Sequence, residues 1–108
     1  HLFNNTTFEK MKTGAILVNT SRGDIIDEKA LIEHLDSRKL TAFGADVIHD
    51  EWKKDIGESI LIQYARNHKN VVITPHIGGC TTKSLVDARI FSAKKLIHFL
   101  STGEELTQ

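Results

Sequence analysis

The chain has 108 residues, 40% of them hydrophobic, with 14 basic and 14 acidic residues that balance to a formal charge of zero. That length supports one globular domain with a core of its own, and the neutral balance offers no basic surface for nucleic acid or an anionic membrane. No apolar run approaches the roughly 20 residues needed to span a bilayer, and a single cysteine, Cys80, cannot close an internal disulfide, so the expected location is a reducing cytoplasm.

The chain opens at His1 and leads almost at once into a helix, so the expectation is a piece of something longer. Leu2 and Phe3 are expected to pack on what precedes them. Thr6-Thr7-Phe8-Glu9 has the form of a capping box and predicts a helix over about residues 7–12, ended by Gly14. The run Gly14-Ala15-Ile16-Leu17-Val18 predicts a strand over 15–20 covered on both faces, as in a parallel sheet. Asp27 is placed to cap a helix over about 28–36, with Ile26 and Leu31 at its two staple positions. Leu40 to Val47 reads as the second strand. Residues 59–65 fit helix or strand by period alone. A short helix is preferred there, because a β-rich stretch (70–74) follows directly and Pro75 stops it. Thr81 or Thr82 caps a last helix. Its apolar residues Val86, Ile90, Ala93, Ile97 and Leu100 recur at helical spacing, and Gly103 ends it.

Helix, strand, helix, strand, helix, strand, helix is an α/β order, which implies a parallel sheet with helices on its faces. Three strands make half of a doubly wound sheet. Such a half leaves one edge and part of its faces open to water, which favours self-association into a homo-oligomer.

Ligands of parallel sheets gather beyond the carboxyl ends of the strands. Each strand here ends near an ionisable residue: Arg22 after the first, Asp46 after the second, His76 after the third. The planar guanidinium of Arg22 can grip a carboxylate through two parallel hydrogen bonds; the bland alternative is a surface arginine capping a carbonyl or pairing with Asp24. His76, followed by Ile77-Gly78-Gly79, can exchange a proton near neutral pH. A carboxylate bonded to an imidazole fixes its tautomer, and Glu51 could serve, although its acidic neighbourhood also fits a solvated loop. Asp46, buried at a strand end, must either cap a helix or accept from a polar ligand. Cys80 reads as a small packing residue, and His34, His49, His68 and His98 as packing or solvated residues. No pair of histidines has metal-site spacing.

Taken together, Phe8, Met11-Lys12, Gly14-Ala15, Val18-Asn19-Thr20-Ser21-Arg22-Gly23 and Ile26-Asp27-Glu28-Lys29-Ala30-Leu31 resemble the signature of the D-isomer-specific 2-hydroxyacid dehydrogenases. That family includes phosphoglycerate dehydrogenase, D-lactate dehydrogenase and glyoxylate or hydroxypyruvate reductases. Gly44-Ala45-Asp46-Val47 and Thr74-Pro75-His76-Ile77-Gly78-Gly79 look like its next two motifs, in order, so the resemblance runs from about residue 1 to residue 103. It implies that residues 1–108 are part of a Rossmann-type NAD-binding domain, the second half of its sheet, acting on a 2-hydroxy or 2-keto acid. It further implies that Arg22 binds the substrate carboxylate, that His76 is the acid–base group, and that Glu51 holds His76 protonated. Asp46 would accept from the nicotinamide carboxamide, while main chain at Thr20, Ser21, Gly78 and Gly79 lines the nicotinamide.

The departures are specific. Gly-x-Gly-x-x-Gly does not occur in these residues, so the pyrophosphate turn of the fingerprint is missing from them. The residue that discriminates NAD from NADP is missing with it, and NADP stays open. Trp52 stands where the family usually has proline, within an apparently extended loop Trp52-Lys53-Lys54-Asp55. Two other readings remain beside the enzyme: a nucleotide-sensing, corepressor-like module, and a truncated product that keeps the fold without the chemistry.

Overall fold

The computed structural model describes residues 1–105, which form two compact units: residues 1–76, and a second from residue 77 onward. In the first unit the order is α1 (Asn5–Lys10), β1 (Ala15–Asn19), a 3₁₀ turn (Gly23–Ile25), α2 (Glu28–Asp36), β2 (Leu40–Ala45), a 3₁₀ turn (Ile56–Glu58), α3 (Ile60–Asn67) and β3 (Val71–Ile73). The strands form one parallel sheet in the order β1-β2-β3.

Alternation along the strands sorts the two faces. Leu17 pairs with Phe43, Asn19 with Ala45, and Phe43 with Val71, so these residues share one face. Against it pack Phe8 of α1, Ala30, Leu31 and Leu35 of α2, and Leu61 of α3, all buried. On the other face Val18 pairs with Gly44 and Gly44 with Val72. There Ile16, Val18 and Val72 are 67, 64 and 63% exposed. The apolar run of β1 is therefore covered on one side only, against the expectation of cover on both.

Local chemistry explains most of the boundaries. Asp27 caps α2, its carboxylate accepting from the N–H groups of Lys29 and Ala30 at 3.1 Å each, and both staple residues, Ile26 and Leu31, are buried. Helix α1 differs from expectation: Asn4, not Thr6, is the cap, its Oδ1 accepting from Thr7 N–H at 3.2 Å. The helix also ends at Lys10, before Gly14. With φ +82°, Gly14 instead turns the chain into β1 while its N–H donates to Lys39 O at 2.9 Å. In the amino-terminal segment Phe3 bridges Ile26 in parallel, and Leu2 is exposed. Strand β2 stops at Ala45, and Asp46, Val47 and Ile48 leave the sheet while staying buried. The ambiguous third segment is a helix, α3.

In the second unit, α4 (Thr82–Thr102) starts in a capping box in which Thr81 Oγ1 accepts from Ser84 N–H and Ser84 Oγ accepts from Thr81 N–H. It ends at Gly103, whose φ of +74° is the left-handed cap that glycine favours. Its apolar residues Val86, Ile90, Ile97 and Leu100 are exposed, and so is Cys80, which is therefore no packing residue. No helix among the described residues is long and apolar enough to cross a membrane.

Candidate active site

The sheet register brings the three strand ends into one row, Asn19 beside Ala45 beside Ile73. Main-chain bonds continue the row past the strands: Asp46 N–H donates to Asn19 O at 3.0 Å, and Thr74 N–H to Ala45 O at 2.8 Å. Arg22, Asp46 and His76 follow within three residues of those ends, all along the carboxyl rim.

Each is held by a local device. Asn19 is 4% exposed, and its side chain builds the turn that carries Arg22. Its Oδ1 accepts from Ser21 N–H and Ser21 Oγ–H, both at 3.1 Å, and its Nδ2 donates to Arg22 O at 2.8 Å. Arg22 itself is exposed, and its Nη1 donates to Ser21 O at 2.6 Å. That is the alternative of a surface arginine capping a carbonyl, whereas Asp24 pairs with His49. Asp46 is 8% exposed, and its Oδ1 accepts from Thr74 Oγ1 at 2.5 Å.

His76 and Glu51 meet. Nδ1 of the imidazole lies 2.7 Å from Glu51 Oε1, with the carboxylate mostly buried. A carboxylate can only accept, so Nδ1 carries the proton. The backbone of His76 has φ +52°, a left-handed conformation that few residues other than glycine adopt. It follows a three-residue turn over Pro75 closed by His76 N–H donating to Thr74 O at 3.0 Å. Such strain, of order 1–3 kcal/mol, persists where surrounding contacts fix the residue. Trp52 lies against the ring, centroids 5.8 Å apart and planes inclined by 35°, while 83% of the tryptophan is exposed. Gly78 and Gly79 belong to the second unit; a methyl group at Gly79 would meet nothing within 4 Å.

Sequence reasoning passed over three residues here. Asn19 gave a signal, a polar side chain closing a buried strand. Trp52 was marked only as a departure from the family pattern. His49 read as bland, yet its Nδ1 lies 2.6 Å from Asp24 Oδ1, its Nε2 3.0 Å from Asp50 Oδ2, and its main-chain N–H donates to Glu28 Oε1 at 3.1 Å. The hydrogen bond to Asp24 is the main cause holding the His49 imidazole above its ordinary value, and the charges of Asp50, Asp24 and Glu28 add to it against partial desolvation. Lys53, bonded to Asp50, holds that carboxyl below its usual range. Burial pushes Glu28 up, against its bond to His49. A cavity of about 550 Å³ opens beside this cluster, lined by Ile26, Glu28, His49, Asp50, Lys53 and Ile60 among others. Arg22, Asp46, Glu51 and His76 do not line it, so the rim is a candidate site by its paired groups and not by its depth. No group of three His, Cys, Asp or Glu among the described residues could hold a metal ion.

Residues 1–78 match the family described as D-isomer specific 2-hydroxyacid dehydrogenase, NAD binding domain. The chain is 35% identical over 107 residues to a 4-methyl-2-oxopentanoate reductase of Aspergillus oryzae, covering 99% of this chain and 30% of that protein. It is 32% identical over 120 residues to a D-2-hydroxyacid dehydrogenase (NAD+) of Lacticaseibacillus paracasei, covering 100% of this chain and 34% of the relative. The solved structure of a D-2-hydroxyisocaproate dehydrogenase superposes with a TM-score of 0.80 at 32% identity, over 99% of this chain and 34% of that one. The chain thus spans about a third of the length of the relatives it matches. With a three-stranded parallel α/β sheet of the Rossmann type and a family match over most of its length, the chain belongs to the D-isomer specific 2-hydroxyacid dehydrogenases, in their NAD-binding domain.

Proposed function

We propose that this chain supplies the part of an NAD-dependent 2-hydroxyacid dehydrogenase that faces the nicotinamide and the substrate, interconverting a 2-hydroxy acid and its 2-keto acid. The observation that carries the reading is the Glu51–His76 pair at 2.7 Å, on the same strand-end rim as Arg22. Arg22 grips the substrate carboxylate, exchanging its bond to Ser21 O for two bonds to the acid. His76 gives the Nε2 proton to the carbonyl oxygen as the ketone is reduced, and takes it back in the oxidation. Glu51 keeps the other proton on Nδ1, so the ring presents Nε2 in one orientation.

When bound, the nicotinamide supplies or accepts the hydride at C2 of the acid. The residues fit such a group. Asp46 is a buried carboxylate at the rim, and a carboxylate accepts hydrogen bonds, the chemistry that an amide donor requires. Main chain at Thr20 and Ser21, fixed by Asn19, lies on the same rim. The lone cysteine supports a cytoplasmic location. The exposed Ile16, Val18 and Val72 support burial of that sheet face in a larger assembly, of which a homo-oligomer is one form.

The test is NADH oxidation, by an intact enzyme that contains these residues, against a panel of 2-keto acids, with His76→Ala and Arg22→Ala. Each variant should lose about 10²–10⁴-fold in turnover, as expected for a positioned acid–base or orienting group. Turnover within a few-fold of wild type in either variant refutes the assignment, and NADH binding with no turnover by wild type favours the nucleotide-sensing reading.

A further inference from the structure

We propose that His49 is a positioning residue that ties the turn carrying Arg22 to the loop carrying Glu51, and that the tie is strongest when the imidazole is protonated. The inference rests on the reading of Arg22 and Glu51 as site residues; the tie itself stands on geometry independent of that reading.

The two segments touch backbone to backbone. A methyl group at Gly23, the residue after Arg22, would lie 2.0 Å from Ile48 C, 2.1 Å from Ile48 O and 2.4 Å from His49 N. His49 then reaches across the contact. Its Nδ1 faces Asp24 of the Arg22 turn at 2.6 Å, and its Nε2 faces Asp50, next to Glu51, at 3.0 Å. A neutral imidazole has one N–H and one lone pair. It can donate from Nδ1 to Asp24, but then turns the Nε2 lone pair towards Asp50. The imidazolium makes the Asp24 bond a charged one and faces Asp50 with positive charge.

Every charged group that faces His49 acts on this equilibrium. Asp24 and Asp50 flank the ring, Glu28 of α2 accepts its main-chain N–H at 3.1 Å, and Lys53 occupies Asp50 from the other side. Three carboxylates against one ammonium favour the cation, consistent with the raised ring, whose first cause is the Asp24 bond. Loss of the proton leaves the Nε2 lone pair towards Asp50. The Arg22 turn and the Glu51 loop then keep a weaker neutral bond from Nδ1 to Asp24 in place of the charged one, beside the backbone contact at Gly23. The Glu51 carboxylate orients His76, so the link reaches the acid–base group through a loop it does not touch directly.

The experiment is an NMR pH titration of the protein without cofactor or substrate, followed on the His49 ring and on the amides of Gly23, Asp24 and Glu51. In wild type these amides should shift together through the midpoint of the His49 ring, above that of an ordinary histidine. His49→Gln should abolish the shared midpoint. His49→Arg, whose fixed planar charge can donate to both carboxylates, should hold the coupled position across the whole range. In turnover, His49→Gln should lower kcat/KM about two- to five-fold below the His49 midpoint, the scale of a half-exposed ion pair, and match wild type above it. His49→Arg should remove that alkaline loss. The side chain is half exposed, so both variants should fold, and Asp24→Asn breaks the same link from the opposite side. Amides that titrate independently of His49, or an arginine variant that behaves like the glutamine one, overturn the proposal. Coupled amides in a protein whose turnover ignores His76→Ala would leave the tie standing and refute the catalytic reading instead.

Discussion

Gly23→Ala tests how firmly the rim is built. The residue has no unusual φ, so alanine meets no conformational penalty of its own; the obstacle is purely contact. Its added carbon would lie 2.0 Å from a carbonyl carbon and 2.1 Å from an oxygen of Ile48, where carbon atoms ordinarily sit about 3.5–4.0 Å apart. Relief needs a main-chain shift of about 1.5 Å. The groups in the way are backbone, which cannot swing aside as a side chain would. They also precede His49 and follow Val47, itself 2% exposed, and Ile48 is a buried member of the core. Overpacking of ordinary cores costs about 1–3 kcal/mol and occasionally more. A clash against main chain belongs at or above the top of that range, about 3 kcal/mol, a large part of a small domain's total stability. Gly44→Ala is the matched control. Its carbon would meet the Val18 methyls at 3.6 and 3.7 Å, an ordinary contact, and replacing glycine in a strand recovers about 0.5–1 kcal/mol. Urea denaturation followed by circular dichroism, read from the midpoint at constant m, gives both numbers. A Gly23→Ala variant within about 0.5 kcal/mol of wild type would refute the close approach, and with it the backbone half of the His49 tie.

Two further outcomes follow from local chemistry. Asn4→Ala should cost about 1 kcal/mol as the cap of α1 is lost, whereas Thr6→Ala should cost at most a few tenths, the reverse of the sequence expectation; urea midpoints of the two variants decide it. Tyr64, the single tyrosine, is pushed up to about 12 by burial first and then by its 2.7 Å hydrogen bond to Asp36, so its phenolate absorbance should appear near pH 12 and not near 10. The sign is that of a raised group: its stabilisation is fully present below pH 10 and lost as pH rises towards 12, and a phenolate midpoint near 10 would deny the environment.

Much of this fold is legible in the sequence because the signals are local. Helix α2 falls on Glu28–Asp36 as expected, since a cap, a staple and an apolar stripe agree on one register. Helix α4 is legible for the same reason, from Thr81 to Gly103. The misreadings also have local causes. Thr6 and Asn4 are both good caps, and the Asn4 side chain is the one that reaches Thr7 N–H. Val47 and Ile48 are apolar because they are buried, not because they pair in a sheet, so β2 looked two residues longer than its ladder. The site divides along the same line. Order along the chain places Arg22, Asp46 and His76 at strand ends, and parallel topology does the rest. The Glu51–His76 bond spans 25 residues of chain through a loop without regular structure, and only family resemblance singled it out. The contacts of Trp52 and His49 depend on how two loops fold against each other, and nothing in a period or a cap encodes that.

The rim shows how a rigid sheet and soft loops share the work. Main-chain bonds fix the strand ends to one another as far as Asp46 and Thr74. Beyond that point, each functional side chain is held by a polar neighbour: the Arg22 turn by Asn19, Asp46 by Thr74, His76 by Glu51. Two of these holders come from another segment of the chain, Thr74 beyond β3 for an aspartate beyond β2, and Glu51 for a histidine after β3. Alignment at the rim is therefore tied to the packing of neighbouring segments, so a small displacement of one loop misplaces a group on the next. The positive φ of His76 fits this scheme, since the Pro75 turn and the Glu51 bond constrain the same residue from two sides. The rim thus leaves Arg22 exposed and His76 half-buried, while Asn19 and Asp46 lie buried against the sheet.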